Sequence, residues 1–315
     1  MNLVVLSALL PVVALIAAGL LVGRAGWVNP SWVRRLSTLS FMVLTPVVLF
    51  RAMRQVHLEQ LDLRPAAAYV AALALVFAAM LWWRGLNRTS VVLALAVTYS
   101  NAVMIGIPLV QFAWGDTGLV TLLTLIPIHS LVLLTSATVV LEFALARERA
   151  AASTEVTGHL LRVTGRALRK ALVHPVPLPI IAGLLFAQTG LDIPAVVDQP
   201  MRWIGMAFGP LALLLVGIAL AESAVGAQWR AALQLATIKN FAVPAVAAGL
   251  AWALGMRGVP LAVLVTTAAL PIGANVFIFS QRYGVAQALV TAGVAVSTLL
   301  ALVSVSLVML LGGGA

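Results

Sequence analysis

The 315-residue chain is 63% hydrophobic and only 9% charged, whereas water-soluble domains carry about 25% charged residues, so a soluble globular enzyme is excluded. Nineteen Lys and Arg outnumber nine Asp and Glu for a net charge of +10, an excess that in so apolar a chain belongs in loops facing anionic lipid rather than on nucleic acid. With no cysteine, disulfides, thiolate metal centres, cysteine nucleophiles and covalent c-type haem are also excluded.

A helix crossing a bilayer needs roughly 20 mostly apolar residues. Charged and Pro/Gly-rich points divide the chain into ten such stretches, near 2–23, 34–54, 65–83, 89–113, 117–145, 174–190, 199–222, 230–254, 259–282 and 285–311. The first has no basic residue ahead of it and meets Arg24 only at its end, the reverse of a cleavable signal peptide, and reads as a retained span. The connections are short except for 146–172. The expected organisation is therefore a five-helix unit (1–145), a basic cytoplasmic linker (146–172) and a second five-helix unit (173–315). With the N-terminus outside, 13 cations fall on the inside and five (Arg51, Arg54, Arg64, Arg202, Arg257) on the outside. That bias favours a multi-pass protein of the cell membrane with both termini outside. Within the linker, Arg162, Arg166 and Arg169 recur at helical spacing, which suits either an interfacial helix on anionic lipid or an ordinary positive-inside loop.

The two units repeat. A shift of 164 residues gives 13 identities in the 39 positions from 11 to 49, among them Pro11 with Pro175, Gly19 with Gly183, Gly26 with Gly190, Pro30 with Pro194 and Pro46 with Pro210. A shift of 168 pairs Val91, Leu93, Ala94, Val97 and Thr98 with Val259, Leu261, Ala262, Val265 and Thr266. An odd number of spans per copy turns the second copy upside down. The predicted fold class is thus an all-α polytopic membrane protein of ten transmembrane helices in two inverted five-helix repeats. Inverted repeats mark secondary transporters, whose sites lie at the midplane on interrupted helices in corresponding positions.

Spans 4 and 9 occupy those positions. Span 4 carries Asn101, Gly106, Ile107 and Pro108, and span 9 carries Pro271, Gly273, Ala274 and Asn275. Proline removes a backbone donor and glycine lets the chain leave helical geometry. Freed backbone groups are tolerated in a bilayer only where they line a cavity or are buried in protein. If both spans break and cross, second half-helices begin near Pro108 and Asn275, and two helix N-termini converge on a place suited to a carboxylate. Asn101 and Asn275 would either orient that anion or tie off loosened backbone.

Few ionisable residues fall inside the spans. Lys239 in span 8 lies far from either end, where a lysine costs about 2.5–3.5 kcal/mol on insertion scales. It would offset that cost by complementing an anion or by holding carbonyl ends of the broken helices. His129 is a candidate proton carrier by its ordinary titration range, or a hydrogen-bonded packing residue. Glu142 and Glu222 lie near cytoplasmic ends of spans 5 and 7 as further proton-coupling candidates. Neither crossover contains Asp or Glu, which biases the site chemistry toward anions.

The segment Asn101-Ala102-Val103-Met104-Ile105-Gly106-Ile107-Pro108-Leu109, with Pro271-Ile272-Gly273-Ala274-Asn275, Tyr283-Gly284, Ser297-Thr298 and the Lys239–Pro244 stretch, resembles the auxin efflux carrier family. Its ten-span carriers include bacterial malate and malonate permeases and plant auxin transporters. The resemblance implies the bile-acid-symporter and NhaA-like arrangement, with crossed broken helices 4 and 9 and spans 1, 2, 6 and 7 as scaffold. It implies carriage of small organic carboxylates, auxin-like or dicarboxylate, by an elevator motion, with Asn101, Pro108, Pro271 and Asn275 framing the substrate. Ala102 and Val103 stand where family members often have glycine. Sodium coupling of the bile-acid type and a non-transporting anion sensor are the alternatives. No enzyme motif, metal cluster or cofactor site is legible, and the expected partners are the carboxylate, the lipid bilayer and a second copy in a homodimer.

Overall fold

A backbone without water around it must satisfy its own hydrogen bonds, and helices do so within one segment. The computed structural model describes residues 3–54, 63–151, 177–222 and 225–312, and these are helical almost throughout. In chain order the helices are α1 (Leu3–Arg24), α2 (Pro30–Leu39), α3 (Thr45–Met53), α4 (Leu63–Arg84), α5 (Arg88–Thr98), α6 (Ile107–Ala151) and α7 (Pro177–Ala187). They continue with α8 (Ala195–Glu222), α9 (Val225–Thr237), α10 (Val243–Ala253), α11 (Gly258–Ala269), α12 (Ala274–Tyr283) and α13 (Gln287–Gly312).

Among the described residues, six stretches are long and apolar enough to cross a bilayer: Ser31–Arg51, Arg64–Arg84, Thr117–Glu148, Ala195–Ala221, Gln228–Ala253 and Gln287–Leu311. Leu10–Arg24, Arg88–Thr98 and Gly258–Ala269 are apolar but shorter. The last two are shorter because the expected spans 4 and 9 are each split, so that α5 and α11 stop before a full crossing. α6 runs on from the break through Gly115, whose φ of 59° and ψ of −149° interrupt the helical path. Trp27, Trp32, Trp82, Trp83, Trp203, Trp229 and Trp252 are exposed, and all but Trp203 lie at or just beyond a helix end, where interfacial tryptophans gather. The chain is a multi-pass membrane protein. Most of the basic linker, from residue 152, lies outside the described residues, as does the Arg162–Arg169 pattern.

Three wide turns interrupt helices in the same way. The π-helical turns Ser40–Leu44, Ala102–Gly106 and Ile238–Ala242 are closed by Thr45 N–H to Ser40 O, Ile107 N–H to Ala102 O and Val243 N–H to Ile238 O. In each case the next residue is a proline: Pro46, Pro108 or Pro244. A proline ring collides with the carbonyl four residues back and offers no N–H to it. Widening the turn by one residue relieves both problems, and such π turns recur at functional sites.

The tightest helix contact joins α1 to α8. A Cβ on Gly19 would collide with Leu214 O, and one on Gly217 with Ile16 O. The contact of α3 with α7 is similar, since a Cβ on Gly183 would lie 2.5 Å from Phe50 O. Small residues let helix backbones approach this closely in lipid, where packing rather than hydrophobicity drives association. Overpacking a well-filled contact costs about 1–3 kcal/mol. Gly19→Val should therefore lower the melting temperature of the detergent-solubilised protein, read by size-exclusion after heating. Gly205→Ala, with nothing within 4 Å of its Cβ position, should leave it unchanged.

Candidate functional site

α5 ends at Thr98 and α11 at Ala269, and the residues that follow cross as a short antiparallel backbone pair. Ser100 and Ile272 form its centre. Asn101 N–H donates to Pro271 O at 2.9 Å and Gly273 N–H donates to Tyr99 O at 2.9 Å. Ser100 N–H donates to Nε2 of His129 at 3.2 Å and Ile272 N–H to Oγ of Ser297 at 3.0 Å. The N–H groups of Ser100, Asn101, Ile272 and Gly273 are thus consumed by the opposite strand and by α6 and α13. Gly273 has φ −69° and ψ 141°, which any residue adopts, so space rather than conformational freedom requires glycine here. A Cβ would meet Tyr99 Cδ1 at 2.7 Å and Ser100 O at 3.1 Å.

Past the crossing, helix resumes on both chains. On one side it resumes with the π turn at Ala102, which leads into α6 at Ile107, beside the expected start near Pro108. On the other, α12 begins at Ala274. The N–H groups of Ala102, Val103, Ala274 and Asn275 donate to no described residue. These two N-termini line one cavity of about 220 Å³, walled by Tyr99, Ser100, Asn101, Ile126, His129, Ser130 and, from α3 and α8, Val48, Gly205, Met206, Phe208, Gly209 and Pro210. No Lys, Arg, Asp or Glu belongs to this lining.

Of the residues singled out from sequence, Asn101, Ala274, Asn275 and His129 line the cavity together. Asn275 Nδ2 donates to Tyr99 Oη at 2.8 Å, which leaves the tyrosine proton for Ser130 Oγ at 3.0 Å. The Asn101 side chain bonds to no described residue. Because His129 Nε2 accepts from an amide, that nitrogen carries no proton and the ring's hydrogen is assigned to Nδ1. Nδ1 lies toward Ile126 O without reaching hydrogen-bond geometry. The ring packs on Tyr99 with centroids 4.2 Å apart.

The other predicted residues lie elsewhere. Pro271 contributes its carbonyl to the crossing. Gly106 packs beneath it, where a Cβ would meet Leu270 Cδ1 at 3.0 Å, and Ile107 packs against the core. Glu142 is partly buried on α6, and Glu222 ends α8, twelve residues or roughly 18 Å of helix beyond the lining Pro210.

Lys239 is fully buried on the opposite side of the crossing, and its Nζ donates to Ala268 O at 2.6 Å. Next to it Asn240 Nδ2 reaches Ala269 O (3.2 Å), Ser297 O (3.2 Å) and Ser304 Oγ (3.1 Å). The C-terminus of α11, with its partial negative charge, thus ends on a cation and an amide. The wide turn Ile238–Ala242 lets these two consecutive side chains face the same helix end.

Tyr99, Ser130, Asn240 and Phe208 were not legible as site residues. Tyr99 and Ser130 adjoin Asn101 and His129 in sequence, which was their only signal, and Phe208 arrives from a distant helix with none. Asn240→Ala would remove one donor from the buried Ala269 and Ser297 carbonyls, the first of which keeps its bond from Ser304 Oγ, a loss of about 0.5–1.5 kcal/mol, and should lower the melting temperature in detergent. Tyr99→Phe should do so less, because Asn275 is only part-buried and can turn to water.

Auxin efflux carrier component 3a of Oryza sativa subsp. japonica is 29% identical over 140 residues, covering 42% of this chain and 23% of the relative. Auxin efflux carrier component 7 of Arabidopsis thaliana matches with the same identity and coverage. The match thus spans under a quarter of these relatives' length. The membrane transport protein family matches residues 4–309, nearly the whole chain, and the chain belongs to that family, the one of the auxin efflux carriers.

Proposed function

We propose that this membrane transporter carries small organic carboxylates, held between the helix N-termini that follow Asn101 and Gly273. The observation that carries this reading is the convergence of those termini on one cavity, with four amide donors unclaimed by described residues and no acidic side chain in the lining. Unpaired N–H groups and the positive ends of two helix dipoles favour an anion. Asn101 and Asn275 supply side-chain donors, and Ala274 leaves the amide row open. The wall from Val48, Ile126, Met206 and Phe208 suits an acid with an apolar body, so a monocarboxylate is preferred over a dicarboxylate. Lys239 in this reading is a fixed cap on α11, and Gly106, Ile107, Pro108 and Pro271 shape the crossing.

The same reading takes the chain as ten spans in two inverted halves, 1–145 and 173–315, joined by a basic linker at 146–172. The helix contacts support it. Gly19 packs on Leu214 O and Gly183 on Phe50 O, and the 164-residue shift converts one pair into the other. The cavity lies between the crossover and helices α3 and α8, as an elevator sliding along a scaffold of the first two spans of each half requires. Placement in a cell membrane with both termini outside follows the cation bias, and scaffold helices are the surface for a homodimer.

The test is charge movement on a solid-supported membrane, using proteoliposomes challenged with indole-3-acetate and malate under sodium and pH gradients. Loss of one hydrogen bond to a charged group, about 1.5–3 kcal/mol, corresponds to roughly ten- to a hundredfold in affinity. Asn275→Ala should weaken the response to indole-3-acetate by that factor while remaining folded. Currents to no acid in the wild type, or an unchanged response in the variant, would refute the assignment.

A further inference from the structure

One charged cluster lies beside the cavity and outside the site described above. At the end of α3, Arg51 grips Asp198 of α8 with two bonds, Nε to Oδ1 at 3.1 Å and Nη2 to Oδ2 at 3.0 Å. Arg54 Nη2 reaches Oδ1 of the same carboxylate at 3.1 Å. Both carboxylate oxygens are therefore committed. Arg54 Nε is buried and bonds to no described residue. Arg202, one helical turn after Asp198, is exposed and has no ion pair among the described residues. Three guanidiniums surround one carboxylate.

Helix register relates this cluster to the cavity. Arg51 follows the lining Val48 by three positions on α3, and Arg202 precedes the lining Gly205 and Met206 by three and four on α8. Residues three and four apart share a helix face, and one turn is about 5 Å. The two arginines thus continue the faces that wall the cavity, one turn beyond it. A single Arg–Asp pair would suffice to tie α3 to α8. The second arginine with a donor unclaimed by described residues, and the third with no ion pair among them, leave positive charge that this tie does not use.

Resting on the carboxylate reading given above, we propose that Arg51, Arg54 and Arg202 around Asp198 form an anion-collecting site at the mouth of the cavity, which takes up a carboxylate before it reaches the helix N-termini. Asp198 holds Arg51 and Arg54 in place and keeps their combined charge low enough that the anion is passed on. The side chains of Arg51, Arg54 and Asp198 are 21%, 18% and 24% exposed, so solvent and salt reach them and their pull is one of steering.

The experiment measures initial rates of indole-3-acetate uptake for wild type, Arg202→Gln and a control, Arg257→Gln, which removes an exposed cation that belongs neither to the cluster nor to the cavity lining. Rates are compared at about 0.01 M and about 0.15 M ionic strength, where the screening length is roughly 30 Å and 8 Å. At low salt Arg202→Gln should raise KM about three- to tenfold, at the lower end of electrostatic steering, with maximal rate unchanged. The difference should shrink at high salt, and Arg257→Gln should behave as wild type. A KM ratio indifferent to salt, or a fall in maximal rate alone, would overturn the proposal. A second readout does not depend on transport. Iodide quenching of the exposed Trp203, isolated by difference against Trp203→Phe, should weaken in Arg202→Gln while quenching by neutral acrylamide stays constant. If the wild type moves no carboxylate, the transport reading fails by itself. Equal iodide quenching in wild type and Arg202→Gln would then overturn the collecting site independently.

Discussion

Everything around the site depends on the pair of backbone hydrogen bonds that joins residues 99–101 to 271–273. Each interrupted helix releases N–H and C=O groups that no lipid can satisfy, and an unsatisfied buried group costs several kcal/mol. By crossing, each break supplies the partner that the other lacks. Neither interruption is tenable alone, so the cavity, the exposed helix N-termini and the spacing between them are consequences of one mutual repair. The close approach of Gly273 to the Tyr99 ring makes that repair specific to glycine at this point.

The two sides of the crossing differ in chemistry. The N-terminal side is left open, with amides facing a cavity and hydroxyl and amide side chains at its rim. The C-terminal side of α11 is closed by Lys239 and Asn240, which sit among the serines of α13. Positive charge is thereby spent on the helix end that carries a negative dipole, and the positive helix ends are kept free of it. A cation beside the open termini would have added attraction for anions but also a charge to be desolvated with every empty cavity. The arrangement leaves the cavity with polar groups at its helix ends and no permanently charged side chain in its lining.

Much of this was legible in the sequence, for identifiable reasons. Breaks at spans 4 and 9 could be read because proline and glycine act locally and because the repeat register made two weak signals agree. Asn101 and Asn275 followed from that register, and their neighbourhood in the cavity is a consequence of the crossing. What could not be read depends on contacts between segments distant in sequence. Phe208 and Val48 enter the cavity wall from helices that carry no local mark of a site. Asn240 looked like an ordinary polar residue beside a more conspicuous lysine, yet it holds more partners. The start of α6 beside Pro108 was legible, but the wide turn Ala102–Gly106 ahead of it was not, because the proline acts upstream on the turn that precedes it.

That widening carries a consequence for chain length. A turn closed over five residues instead of four holds one residue more than an α-helix of equal height, and each residue turns the helix by about 100°. The segments on either side of Ile238–Ala242 are therefore out of register by one position. The inward direction of Lys239 and Asn240 is owed to this extra residue as much as to their identity. Shortening the helix by one residue at this turn would keep the composition and hydropathy of the span nearly intact. It would leave α9 and α10 facing as before but close the turn as ordinary α-helix, without the widening that lets Lys239 and Asn240 face one helix end, so the helix length is itself part of the specification of the site.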